Sequence, residues 1–258
     1  MSLVELSGRD HVTTVTLNRP EALNALSGGM CDELAGAILQ AAADPNCWVL
    51  VLHANGEKAF CVGADLKERA SLDDAGWMRN RVQIRALFEA LRAVPQPTIA
   101  SVFGFALGGG CELALSCDFI VCADDAVFGL PEVRVGIIPG GGGTQLAARK
   151  LGPAKAKELI LIGRRIGAAE AGEIGLVNRV VAPDELHEAT DALANELCRS
   201  APVGVREAKR AIDVGVGLSL EEGIDIEELG WRKAVASEDR REGIAAFIDK
   251  RDPEWKGR

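Results

Sequence analysis

The spacing of apolar positions changes several times along the chain, and each change marks an element. His11–Leu17 (HVTTVTL) is rich in β-branched residues and predicts a strand, and the N-R-P-E run after it predicts a turn. Met30, Leu34, Ile38 and Ala41 recur every three or four residues, which predicts an amphipathic helix from Gly29 to Ala43. Trp48–His53 (WVLVLH) is a near-continuous apolar run, suited to a strand covered on both faces. A loop holding Gly56 and Gly63 comes next, then a helix over Asp73–Ala93 that stops before Pro95 and Pro97. Thr98–Phe103 and Phe119–Ala123 read as strands, with Gly108–Gly110 and an apolar helix to about Cys117 between them. Beyond Gly140–Gly143 the pattern predicts helices over Thr144–Lys150 and Pro153–Ile162 and a short strand over Leu176–Val181. From Glu185 onward it is helical throughout, in segments near 185–199, 203–214, 220–236 and 238–251. Alternating strands and helices followed by helices alone predict an α/β core with a helical C-terminal part.

Composition narrows the partners. The 258 residues carry a net charge of −9, which disfavours general nucleic-acid binding but allows an anionic small ligand held by a few local cations. The seven cysteines are odd in number, sit among apolar residues and show no C-x-x-C, so reduced intracellular thiols are expected. The three histidines are scattered without metal-ligand spacing, so no metal site is expected. The start MSLVELSGRD lacks a basic head with an apolar run, and no window reaches 18 apolar residues; a cytoplasmic location is expected.

The glycines point to chemistry. Eleven of the 29 fall in the 49 residues from Gly104 to Gly152, a density more than twice that of the rest of the chain. In GFALGGGCE, three glycines directly precede a helix, so bare amides at a positive dipole end could face an anion or a developing oxyanion. Tight packing of helix on strand is the competing reading. The G-x-G-x-x-G spacing is not met. Gly140–Gly143 lacks the G-K-[ST] of a phosphate loop, and a bend and helix start after Pro139 accounts for it. Glu112, among Cys111, Leu113 and Ala114, is a carboxylate in an apolar neighbourhood, where it serves either as a reacting group or as a favourable charge at a helix start. Glu132, 20 residues on, could join it only through the fold, or else pair with Arg134 or face solvent. KAFCVGADLKER, from Lys58 to Arg69, reads by itself as a solvated face. There is no nucleophile elbow and no Ser-His-Asp arrangement.

Together these residues resemble one family. IASVFGFALGGGCELALSCDFIVCADDAVFGLPEVRVGIIPGGGGTQ, from Ile99 to Gln145, closely resembles the signature region of the enoyl-CoA hydratase/isomerase (crotonase) superfamily. LNRPEALNAL, AFCVGADLKE, GEIGLVNRVV and AFIDKRDPEWKGR extend the resemblance over essentially the whole chain. GADLKERA and IIPGGGGTQ look most like the branch that includes methylglutaconyl-CoA hydratase.

The resemblance implies a spiral of ββα turns over residues 1–199, a helical trimerisation region over 200–258, and a trimer or a dimer of trimers. It implies an acyl-CoA thioester as substrate and no cofactor. Carried onto this chain, it puts the oxyanion hole at the amides of Ala64 and Gly109, and acid and base at Glu112 and Glu132. CoA is expected along Ala22, Leu23, Ala25, Ala64, Asp65, Leu66 and Lys67, with Lys58 and Arg69 as further cations. Phe247 and Lys250 are expected to approach CoA from a neighbouring subunit. Two carboxylates favour hydration over double-bond isomerisation, which one carboxylate can perform. A methylglutaconyl thioester is the alternative substrate, and its second carboxylate calls for a cation that the sequence does not single out. RNA binding, known for one member of that branch, is disfavoured because residues 29–44 contain no Lys or Arg.

Overall fold

The computed structural model describes residues 2–258. The first sheet opens with β1 (Val4–Arg9) and β2 (Val12–Leu17), joined by a tight turn whose Asp10 and His11 have positive φ. After α1 (Gly28–Ala43) the chain enters β3 (Val49–Ala54), parallel to β2 in the register Val12 to Val49. The short α2 (Leu66–Ala70) and long α3 (Asp74–Arg92) follow, then β4 (Thr98–Val102) beside β3. From here strands come in pairs. β5 (Phe105–Leu107) steps into a second sheet and leads to α4 (Gly109–Leu115). β6 (Phe119–Ala123) returns to the first sheet, and β7 (Val127–Gly129) lies parallel to β5 in the second. α5 (Gly143–Ile162), β8 (Arg165–Gly167), α6 (Ala168–Glu173) and β9 (Arg179–Val181) complete the core. The first sheet has the order β1-β2-β3-β4-β6-β9 and the second β5-β7-β8. Each return to the first sheet followed by a step into the second is one ββα turn of the expected spiral.

The apolar run at residues 48–53 has its explanation in two cores. Leu50 and Leu52 join one core beneath α1, α3, α4 and α5, while Val49 and Val51 point into another beneath α7 (Leu186–Cys198). Side chains alternate faces along a strand, so a strand covered on both sides is apolar at nearly every position. The seven cysteines are all unpaired and six are buried, with burial pushing Cys31 and Cys61 up to about 12.

The chain ends in α8 (Pro202–Gly215), α9 (Leu220–Ala236) and α10 (Glu238–Asp249). Lys209 on α8 pins this region to the core, donating to Asp118 at 2.7 Å and to the Gln96 carbonyl at 2.9 Å. These helices leave Ile212, Val216, Leu220, Trp231, Phe247 and Ile248 exposed. No helix among the described residues is long and apolar enough to cross a membrane.

Several elements differ from the sequence expectation. β1 lacks an apolar period because only Val4 is buried in this edge strand. β5, β7 and β8 have three residues each, too few to show a period. Only Arg179–Val181 of the expected strand at 176–181 is extended. Gly175 (φ +77°) and the bond from Leu176 N–H to the Ala171 carbonyl (2.8 Å) keep its first half in a turn. The two helices expected on either side of Gly152 are both present, meeting within α5 at a break where Gly152 takes φ +78°.

One glycine couples the spiral to the site. A Cβ on Gly110 would lie 1.9 Å from the Cys61 carbonyl oxygen, so α4 can lie against the 59–62 segment only with glycine there. Gly36, exposed within α1, has open space around it. Gly110→Ala should cost more than about 3 kcal/mol or prevent soluble folding, whereas Gly36→Ala should stabilise by about 0.5–1 kcal/mol. Urea denaturation of both variants checks this, and equal effects would contradict the packing account.

Candidate active site

The site grows from a knot near the N-terminus. Leu23 and Asn24 have positive φ (52° and 53°), turning the chain back after Pro20–Ala22. Asn24 is fully buried: its Oδ1 accepts from Arg19 N–H (2.9 Å), and its Nδ2 donates to the carbonyls of Asn55 (2.9 Å) and Ala59 (3.1 Å). The knot thereby fixes the 59–65 segment beside the turn. Val62 donates to the Leu23 carbonyl, Leu26 to the Gly63 carbonyl (2.8 Å), and Asp65 to the Leu26 carbonyl (3.1 Å). Backbone groups alternate sides along extended chain, so the Ala64 N–H points away from Leu26. It has no acceptor among the described residues.

Asp65 locks the next step. Its Oδ1 accepts from the amides of Lys67 and Glu68 (both 3.0 Å), capping α2, and its Oδ2 accepts from Arg19 at 2.7 Å. Across from Ala64, Gly108 takes φ +54° and donates to the Gly129 carbonyl (2.8 Å). Gly109 then opens α4 with its N–H equally unpartnered among the described residues. The approach is close: a Cβ on Gly63 would lie 2.9 Å from Gly109 N, and one on Gly109 would lie 3.8 Å from Ala64 N. Any side chain at Gly63 would collide with the Gly109 amide and the Leu107 carbonyl.

Glu112, one turn into α4, is 3% exposed. Its Oε1 accepts from the amides of Gly141 and Gly143, both at 2.7 Å, while Oε2 takes no protein hydrogen bond. Burial pushes its carboxyl up, and the Gly143 and Gly141 amides pull it back. The glycine loop is therefore more than a bend and helix start, because it supplies the donors that hold a buried carboxylate. Glu132 opens a 3-10 turn (Glu132–Val135) after β7. Its Oε2 is buried without a partner, and burial, with the Glu112 charge adding to it, pushes the carboxyl up to about 7. Arg134 donates from Nε to the Ile162 carbonyl at 3.1 Å and makes no ion pair with Glu132.

Ala64, Gly109, Glu112 and Glu132 all line one cavity of about 810 Å³, along with Leu26, Leu66, Ile84 and Phe88. Arg69 also lines it, though sequence spacing suggested only a solvated surface. It is half-buried, with its guanidinium carbon 5.1 Å from the centre of the Trp77 ring and its Nε donating to Oδ1 of buried Asn80 (3.1 Å). Its two terminal nitrogens bond to no acceptor among the described residues. Trp77, Asn80 and Arg81 lie on α3 and carry no sequence signal beyond a helical period. Ala22, Leu23, Ala25, Lys58, Asp65 and Lys67 flank the cavity on the knot and the 58–67 segment without lining it. Phe247 and Lys250 sit at the end of α10, also outside the lining of this cavity. Among the described residues no group of three or more His, Cys, Asp and Glu side chains is placed to hold a metal ion.

Residues 7–258 match the family model for enoyl-CoA hydratase/isomerase. A probable enoyl-CoA hydratase of Rhizobium meliloti is 45% identical over 99% of this chain and 98% of its own length. A mouse mitochondrial protein, enoyl-CoA hydratase domain-containing protein 2, is 44% identical over 96% of this chain and 85% of its own. The crystal structure of an enoyl-CoA hydratase from Bacillus anthracis superposes with a TM-score of 0.97 at 41% identity, covering 99% of this chain and 100% of that one.

Asp65 provides a test of how the Ala64 amide is held. Glu68 N–H and Arg19 keep its carboxyl below the usual range. Stability from a depressed carboxyl is fully present above the unfolded value near 4 and is lost as pH falls through the folded one. Asp65→Ala should cost about 1–2 kcal/mol at pH 7, or roughly 2–6 °C in Tm, and the gap from wild type should close in acid. Thermal unfolding at several pH values measures it; a gap that is constant with pH would contradict the account.

Proposed function

Because the chain belongs to the enoyl-CoA hydratase/isomerase family, we propose that it is a hydro-lyase adding water across the 2,3 double bond of a 2-enoyl-CoA thioester. One observation carries this reading: two unpartnered amides, the buried carboxyl of Glu112 and the half-buried carboxyl of Glu132 open onto the same cavity. As water attacks the β-carbon, negative charge grows on the thioester oxygen, and the Ala64 and Gly109 N–H groups receive it. Backbone donors need no ordering during reaction, and one such donor is typically worth about 2.7–4 kcal/mol of barrier. Gly109 adds the positive end of α4.

Glu112 keeps Oε2 free to orient a water and take its proton while Oε1 stays anchored. Glu132, its carboxyl raised to about 7, holds a proton to deliver to the α-carbon. The water's O–H and the thioester's double bond are consumed, and new C–O and C–H bonds form, so no cofactor takes part. Two close carboxyls titrate as a pair, with the amide-held member ionising first.

The 58–67 segment and the turn at Ala22–Ala25 would hold the CoA moiety, with Asp65 serving mainly as the brace of that segment. The exposed apolar side chains of α8–α10 support a trimer or a dimer of trimers, in which Phe247 and Lys250 would reach a neighbour's CoA. A 3-methylglutaconyl thioester remains a second reading, favoured by Arg69, a half-buried cation in the cavity with no carboxylate partner.

Crotonyl-CoA mixed with the enzyme should lose its enoyl-thioester absorbance, and Glu112→Gln and Glu132→Gln should each slow this by about 10²-fold or more. Because the pair must hold one proton in the transition state, hydration kcat/KM should fall as pH rises through about 7, and dehydration kcat/KM should fall with it, since hydration consumes no net proton and the ratio of the two is fixed by the equilibrium constant. Full rates in both variants would refute the assignment. For the second reading, Arg69→Met should cut kcat/KM for methylglutaconyl-CoA by roughly 10–100-fold while sparing crotonyl-CoA. Equal losses on both substrates would remove the case for a second carboxylate.

A further inference from the structure

We propose that Arg81 and Arg92 on α3 are positioning residues for Glu112, clamping the Gly140–Gly142 peptides so that the loop amides converge on one carboxylate oxygen. Arg81 Nη1 donates to the Gly140 carbonyl and Arg92 Nη1 to the Gly141 carbonyl, both at 2.6 Å. Between them in the sequence, on the same helical face, lies Phe88, which is fully buried. Positions 81, 88 and 92 are separated by seven and four residues, a spacing that returns to one side of a helix. A Cβ on Gly141 would lie 2.4 Å from the Phe88 ring, so the loop rests flat on that ring with an arginine at each end.

Peptide geometry gives the clamp its effect. In a trans peptide the C=O and N–H point in opposite directions. The Gly140 carbonyl that accepts from Arg81 belongs to the same peptide as the Gly141 N–H that donates to Glu112. The sequence guanidinium, peptide, carboxylate is thus an ion pair relayed through one amide, and each bond polarises the next. Arg92 fixes the following peptide, before the Gly143 N–H, the second donor to Glu112. Rotating the first peptide would break bonds on both sides, and rotating the second would release Arg92 and swing the Gly143 N–H that follows it.

The consequence is an asymmetry between the two carboxyls. Glu112 has anchored donors, whereas the buried Glu132 Oε2 has none, so the pair divides into a base and an acid. Other charged or titratable groups act on Glu112 too: Glu132 from the turn after β7, Arg69 from α2 and Cys111 on its own helix. Of the two clamp residues, Arg92 lies outside the cavity, so its effect on Glu112 cannot come from touching substrate.

The base role rests on the hydratase reading, so the test includes a readout independent of turnover. Carbon-13 NMR of protein labelled at the glutamate side-chain carboxyl would follow Glu112, assigned by its loss in Glu112→Gln, in high salt to screen through-solvent charge. Arg81→Met and Arg92→Met should each raise the Glu112 midpoint by roughly half a pH unit or more. Arg81→Lys, which keeps one donor, should restore it. In rate assays kcat should fall more than KM rises, and the acid limb of kcat/KM should move by the same interval. An unshifted Glu112 resonance with a lowered Tm would make both arginines mere braces and overturn the proposal. A shifted resonance in a protein that hydrates no enoyl thioester would uphold the clamp and overturn the hydratase reading.

Discussion

Glu112 lies almost wholly out of water, and holding a charge there requires donors the surrounding apolar helix cannot supply. The amides of Gly141 and Gly143 supply them, and that requirement shapes much of the molecule. The loop must come so close that a Cβ on Gly143 would meet Glu112 Oε1 at 3.0 Å, and it is backed by Phe88 on its other side. α3 and α4 are therefore spaced by a loop without side chains. Arg81, Phe88 and Arg92 of α3 and the start of α5 at Gly143 all meet at Gly140–Gly143. A carboxylate left there without donors would shed its charge and with it the ability to act as a base.

The same economy governs the other half of the cavity. In the proposed reaction Ala64 and Gly109 act through backbone N–H groups, so what the structure must secure is direction. The Asn24 knot, the Leu26–Ala64 bridge and the Asp65 cap all constrain one amide from one side, and Gly108 with its bond to Gly129 constrains the other. Gly63 and Gly110 let the two segments approach within contact distance. The spiral of ββα turns is well suited to this, since β5 and β7 leave the first sheet together and deliver α4 and Glu132 to one end of the second.

How much of this the sequence shows depends on whether a residue declares itself by type or only by position. Gly108–Gly110 and Glu112 are legible because three bare residues before a helix, and a carboxylate among apolar neighbours, are both unusual. The strands covered on both faces are legible from unbroken apolar runs. β5, β7 and β8 are not, because three residues cannot display a period. Arg69 reads as a surface cation next to Lys67 and Glu68, and only the packing of α2 against Trp77 and Asn80 turns it into the cavity. Gly140–Gly143 shows that the chain bends but not what its amides face, since Glu112 is 29 residues from the first donor. Long-range convergence of that kind is a property of the fold.

In the proposed reaction the Ala64 and Gly109 amides receive the thioester oxygen while both carboxyls face the adjacent carbons. A crystal structure with bound acetoacetyl-CoA tests it most directly. The thioester oxygen is expected at hydrogen-bond distance, about 2.7–3.1 Å, from both nitrogens, with Glu112 and Glu132 flanking the acyl carbons. A thioester bound elsewhere in the cavity, or one contacting neither amide, would contradict it.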